Sequence, residues 1–73
     1  MSNPATATIQ VNGKDESVTA STIAALLEDQ EIGANARGIA VALNGAVVPR
    51  AAWRLTMLNP GDRLEIVRVL QGG

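Results

Sequence analysis

The sequence predicts an α+β fold in which one helix lies on one face of a mixed β-sheet. Three observations lead there. Apolar and polar residues alternate near the start of the chain, change to helical spacing from Thr22, and return to strand-like runs after Gly38. Two Asn-Gly pairs, Asn12-Gly13 and Asn44-Gly45, stand between strand-like runs where hairpins turn. The 73 residues, 47% hydrophobic and 18% charged, suffice for one compact domain and are too few for two.

In Thr6 to Asn12, Ala7, Ile9 and Val11 alternate with Thr8 and Gln10, the pattern of a half-buried strand. Asn12-Gly13 suits a type I′ turn because both central residues need positive φ. The return strand, Lys14 to Val18, is mostly polar and belongs at a sheet edge, where Lys14, Asp15 and Glu16 discourage pairing with other chains. Ile23, Leu26 and Leu27 then fall at the i, i+3, i+4 spacing of one helical face. Ser21 or Thr22 can cap that helix, and Gly33 can end it in the left-handed conformation.

Gly38 to Leu43 reads as a strand, Asn44-Gly45 as a second hairpin turn, and Ala46 to Val48 as a short return before Pro49. Arg50 to Leu58 is a connector with one helical turn that lays Trp53, Met57 and Leu58 against the core. Asn59-Pro60-Gly61-Asp62 is a turn by residue chemistry, and Arg63 to Leu70 is the last strand. A helix between strands permits a right-handed crossover, so the last strand can lie parallel to the first at the centre of the sheet. The order β, β, α, β, β, short helix, β is the β-grasp, or ubiquitin-like, arrangement.

Absences narrow the chemistry. With no Cys and no His, the chain has no disulfide, no Cys-based zinc site and no cysteine nucleophile. Ser17, Ser21 and the threonines have no imidazole to activate them, so a self-sufficient hydrolase is not expected. Six Lys and Arg against seven Asp and Glu leave a net charge of −1, and Trp53 is the lone aromatic residue. Neither a phosphate-binding footprint nor a base-stacking platform is present, which argues against nucleic acid. No run approaches the roughly 18 apolar residues of a membrane span, and Met1 to Ala7 lacks the features of a secretory signal. A soluble, cytoplasmic protein is expected.

The whole of 1–73 reads as a single domain, with 70–73, Leu70-Gln71-Gly72-Gly73, as a projecting flexible tail. Two terminal glycines also arise by chance, so an idle tail is the competing reading. In the functional reading, the tail is threaded into a narrow enzyme channel, where a Cβ clashes and unusual φ values are needed. Four extended residues reach roughly 13 to 14 Å, enough to enter a buried pocket while the globule stays outside. The α-carboxylate of Gly73 is ionised at neutral pH and can attack an activated phosphate to give an acyl adenylate. This makes the chain a substrate, with ATP, magnesium and the catalytic groups belonging to a partner.

Asn44-Gly45-Ala46-Val47-Val48-Pro49-Arg50, Trp53, Asn59-Pro60-Gly61-Asp62-Arg63-Leu64-Glu65-Ile66 and Val69-Leu70-Gln71-Gly72-Gly73, taken in order, resemble the ThiS family of sulfur carriers in thiazole (thiamine) biosynthesis. The resemblance covers about the C-terminal 35 residues well; Thr6 to Ala20 matches only in pattern. It implies that Gly73 is adenylated by a ThiF-like enzyme, converted to a thiocarboxylate with sulfur from a donor protein such as a cysteine desulfurase, and gives that sulfur to a ThiG-like thiazole synthase. Leu70, Gln71 and Gly72 are then the recognised tail. The MoaD-like small subunit of molybdopterin synthase shares fold and tail, but Pro49-Arg50 and Trp53 favour ThiS. A ubiquitin-like modifier or passive binding module is the alternative of another class, and Lys14, the sole lysine, suits lysine-linked chains poorly.

In the last strand, Leu64 and Ile66 share one face, and Val67 and Val69 share the other with Arg63 and Glu65. Val67 and Val69 either form an exposed apolar patch for a partner or lie under a loop of this chain. Arg63 and Arg68 either pair with acidic groups of an activating enzyme or are merely solvated. Glu28, Asp29 and Glu31 oppose the helix dipole and read as a solvated face or a docking face. Trp53 reads as a core filler.

Overall fold

The computed structural model describes residues 6–30, 32–33 and 37–68. Its first hairpin joins β1 (Ala7–Val11) to β2 (Lys14–Val18) through Asn12 and Gly13, whose φ values of 53° and 84° are those a type I′ turn demands. The second joins β3 (Ile39–Leu43) to β4 (Ala46–Val48) through Asn44 at φ 52° and Gly45 at φ 88°. With β5 (Arg63–Arg68) the strands form one sheet in the order β2-β1-β5-β3-β4. β5 runs parallel to β1 and antiparallel to β3, so the last strand occupies the centre, and the fold is the expected β-grasp.

One face of this sheet carries Ile9, Val11, Val18, Val41 and Leu64, all buried. The helix α1 (Ile23–Asp29) sits over them with Ile23, Leu26 and Leu27 inward, each at most 1% exposed. Each such burial contributes about 1.5 to 3 kcal/mol, so this stripe dominates the energetics of a short helix that could not persist alone.

A helix start leaves four backbone N–H groups without intrahelical partners. Here the connector supplies two: the N–H of Ile23 donates to the Thr56 carbonyl at 3.2 Å and that of Ala24 to the Trp53 carbonyl at 3.1 Å. The hydroxyl of Thr22 accepts from the Ala25 N–H at 3.2 Å, which settles the cap on Thr22. Ser21 instead uses its carbonyl to accept from the Leu58 N–H at 2.8 Å. Gly33, at φ 86°, donates its N–H to the Leu27 carbonyl and closes the end.

The connector contains one 3-10 turn, Arg50–Ala52, after which Trp53 and Leu58 are buried as expected. Met57 departs from expectation: it is 56% exposed. The segment from Thr56 to Leu58 is bound to Ser21–Ile23 and forms a β-bridge between Thr22 and Met57. Extended backbone sends successive side chains to opposite sides, so Leu58 turns inward and Met57 outward.

Candidate functional site

The second face of the sheet has no element packed on it among the described residues. Alternation along β5 puts Arg63, Glu65 and Val67 on this open face, because Leu64 and Ile66 point to the core. Val67 is 55% exposed, so within the described residues no loop covers it. Its cross-strand partner is Ala40, the next open-face residue of β3 is Ala42, and Ala42 pairs with Val47, which is 77% exposed. Val67, Ala40, Ala42 and Val47 therefore form a continuous apolar strip. A groove of about 320 Å³, lined by Gln10, Arg63, Leu64 and Glu65 between Gly13 and Gly45, adjoins it.

Val47 was not singled out from the sequence, although a signal existed. Once Val48 packs inward, alternation in a three-residue strand leaves Val47 outward. Arg63 and Arg68, the two arginines of β5, do not form one cationic patch. They stand at opposite ends of β5 on opposite faces, roughly 17 Å apart along the strand. Val69, Leu70, Gln71, Gly72 and Gly73 lie outside the described residues, and so does the end of the expected Arg63 to Leu70 strand.

Two side-chain amides grip β5. Asn44 accepts from the Arg63 N–H through Oδ1 at 2.9 Å and donates through Nδ2 to the Asp62 carboxylate at 3.1 Å. Asp62 also accepts from the Asn59 N–H at 2.8 Å, which locks the turn that launches the strand. Asn12 reaches 54 positions along the chain to Ile66, accepting from its N–H at 2.8 Å and donating to its carbonyl at 3.2 Å. Neither partnership has a local sequence signature, because the residues involved are far apart in the chain. The described residues contain no cluster of three or more metal-ligating side chains, and among them no helix is long and apolar enough to cross a membrane.

A family model described as the ThiS family matches residues 7–73. The chain belongs to the ThiS family. It is similar to the crystal structure of a thiamine biosynthesis protein (ThiS) from Geobacter metallireducens, at 32% identity over 90% of this chain and 99% of that one, with a TM-score of 0.77. An NMR solution structure of a thiamine biosynthesis protein from the same organism is 30% identical over 90% of this chain and 87% of that one, with a TM-score of 0.70. Among curated proteins it is 39% identical, over 64 residues and 86% of its length, to a thiazole synthase of Paramagnetospirillum magneticum. This ThiS-family chain spans 19% of that relative's length.

Proposed function

We propose that this chain is a sulfur carrier for thiazole synthesis and that its working group is the carboxylate of Gly73. A carboxylate oxygen attacks the α-phosphorus of ATP in a ThiF-like enzyme, pyrophosphate leaves, and an acyl adenylate forms. The outer sulfur of a persulfide on a donor protein such as a cysteine desulfurase attacks the acyl carbon and expels AMP, giving an acyl disulfide. A second thiol then attacks the donor's cysteine sulfur, forms a disulfide with it and releases the thiocarboxylate. The resulting thiocarboxylate passes its sulfur to a ThiG-like thiazole synthase. ATP and magnesium are handled by the activating enzyme; this chain contributes the acyl group and the surface by which it is held.

The observation that carries the reading is the family match, which runs through Gly72 and Gly73. The similarity of one stretch of a thiazole synthase to this chain supports a carrier and synthase that work together. The thiamine biosynthesis relatives favour this role over that of a molybdopterin synthase subunit. For docking, the strip around Val67 and Val47 is an exposed apolar surface that a partner can cover, beside the strand that leads to the tail.

The test is the mass of the intact chain after incubation with a ThiF-like enzyme, ATP, magnesium and a sulfur source. Exchange of one oxygen for sulfur is expected, and deletion of Gly73 should abolish it. Undiminished adenylation of the shortened chain would overturn the reading, and covalent attachment to another protein would point to a modifier.

A further inference from the structure

The parallel ladder between β1 and β5 is short. It advances through the Gln10 N–H to the Asp62 carbonyl and the Asn12 N–H to the Leu64 carbonyl, both at 2.9 Å. There the backbone of β1 must stop, because Asn12 at φ 53° turns into the hairpin. The next ladder positions on β5 are the N–H and carbonyl of Ile66, and both are taken by the side-chain amide of Asn12. A primary amide offers one acceptor and one donor in a plane, as a peptide group does, so it stands in for one more residue of β1. Beyond it, Val67 and Arg68 are paired with Ala40 and Ile39 of β3 alone among the described residues. Ile66 is thus the last position of β5 held on both flanks, three residues before Val69.

We propose that Asn12 is a positioning residue for the carrier chemistry: its amide clamps β5 at Ile66 and so fixes the end of the strand that leads to the C-terminal residues. This rests on the carrier reading above. Turn chemistry favours asparagine at Asn12 and would also accept glycine, but only asparagine can form the clamp. Asn44, in the same turn type, spends its amide at the entry to β5, on Arg63 and Asp62. The two turns therefore hold the strand at its entry and toward its exit.

Two variants separate the turn from the clamp. Asn12→Gly keeps the turn and loses both bonds; Asn12→Asp tolerates the turn, keeps the acceptor and loses the donor. In the full chain, backbone NMR should show the Ile66 amide exchanging at least about tenfold faster in Asn12→Gly, with lower order at Arg68 and unchanged exchange at Leu64. With a ThiF-like enzyme, ATP and sulfide, kcat for thiocarboxylate formation should fall about tenfold or more, because small misplacements of a reacting group are costly. KM should stay within about twofold, since the strip around Val67 is untouched, and Asn12→Asp should lie between wild type and Asn12→Gly. Wild-type exchange and order at Ile66 and Arg68 in Asn12→Gly overturn the proposal. So does a retained kcat, or a rate loss that disappears on cooling to where the variant is fully folded. A wild-type chain that never acquires sulfur sinks the carrier reading instead, while the NMR comparison still decides whether Asn12 holds the strand.

Discussion

Trp53 donates its indole N–H to the carbonyl of Val48 at 2.9 Å, tying the connector to the edge strand β4 five residues earlier. The ring is 2% exposed, its backbone carbonyl caps the start of α1, and the Arg50 guanidinium stands 4.9 Å from its centroid. One residue therefore joins sheet edge, connector and helix.

Removing that ring should be nearly fatal to the fold. Trp53→Ala deletes a buried aromatic, a loss of about 3 to 5 kcal/mol, against a total of roughly 4 to 11 kcal/mol for a domain of this length. Trp53→Phe keeps most of the packing and loses one hydrogen bond, so about 1 to 3 kcal/mol is expected. Urea titration followed by far-ultraviolet circular dichroism measures both; equal stabilities for the two variants would refute the division between packing and hydrogen bond.

The open face can be tested without touching the core. Val67→Asp places a charge on a solvated surface beside Glu65, so the expected stability change is about 1 kcal/mol or less. If the strip docks the activating enzyme, the same change should weaken binding by about tenfold or more, and Val47→Asp should behave likewise. Calorimetric titration with the enzyme reads the affinity, and global unfolding of Val67→Asp would count against an exposed patch.

At the helix start, Thr22→Ala removes the hydroxyl that accepts from Ala25 while leaving the bonds to Thr56 and Trp53 in place. A loss of about 1 kcal/mol is expected, and Thr22→Ser should restore most of it. A chemical denaturation midpoint that ignores the alanine variant would show that the connector alone caps the helix.

Gly33 separates backbone strain from steric fit. At φ 86° an added Cβ meets, among the described residues, the Glu28 carboxylate at 3.9 Å, an ordinary contact. Gly33→Ala should therefore cost about 1 to 2 kcal/mol from the left-handed backbone alone, a drop of roughly 4 to 16 °C in Tm. Scanning calorimetry of this variant beside Gly33→Asn checks the cause, since asparagine tolerates that conformation and should lose less.

Much of the architecture was legible because its signals are local. Asn12-Gly13 and Asn44-Gly45 announce hairpins through the φ values they allow, and Ile23, Leu26 and Leu27 announce a helix through their spacing. Met57 was misassigned because a connector of mixed composition has no period; its side chain took its direction from the extended backbone bound to Thr22. Of the candidate site, Val67 could be placed on a face by alternation, whereas its neighbours Ala40 and Val47 could not be named before the register was known.

Composition, turn chemistry and hydrophobic period dictate the elements, their order and which side of each strand is apolar, since these depend on residues within a few positions of one another. The family likeness is also written along the chain, in the ordered motifs from Asn44 to Gly73. What faces each apolar side, and which polar groups meet, depends on contacts that chain assembly alone creates. The hold of Asn12 on Ile66, the cap that Trp53 and Thr56 give to α1, and the joining of Val47 to Val67 across Ala42 and Ala40 all arise from bringing distant segments into register.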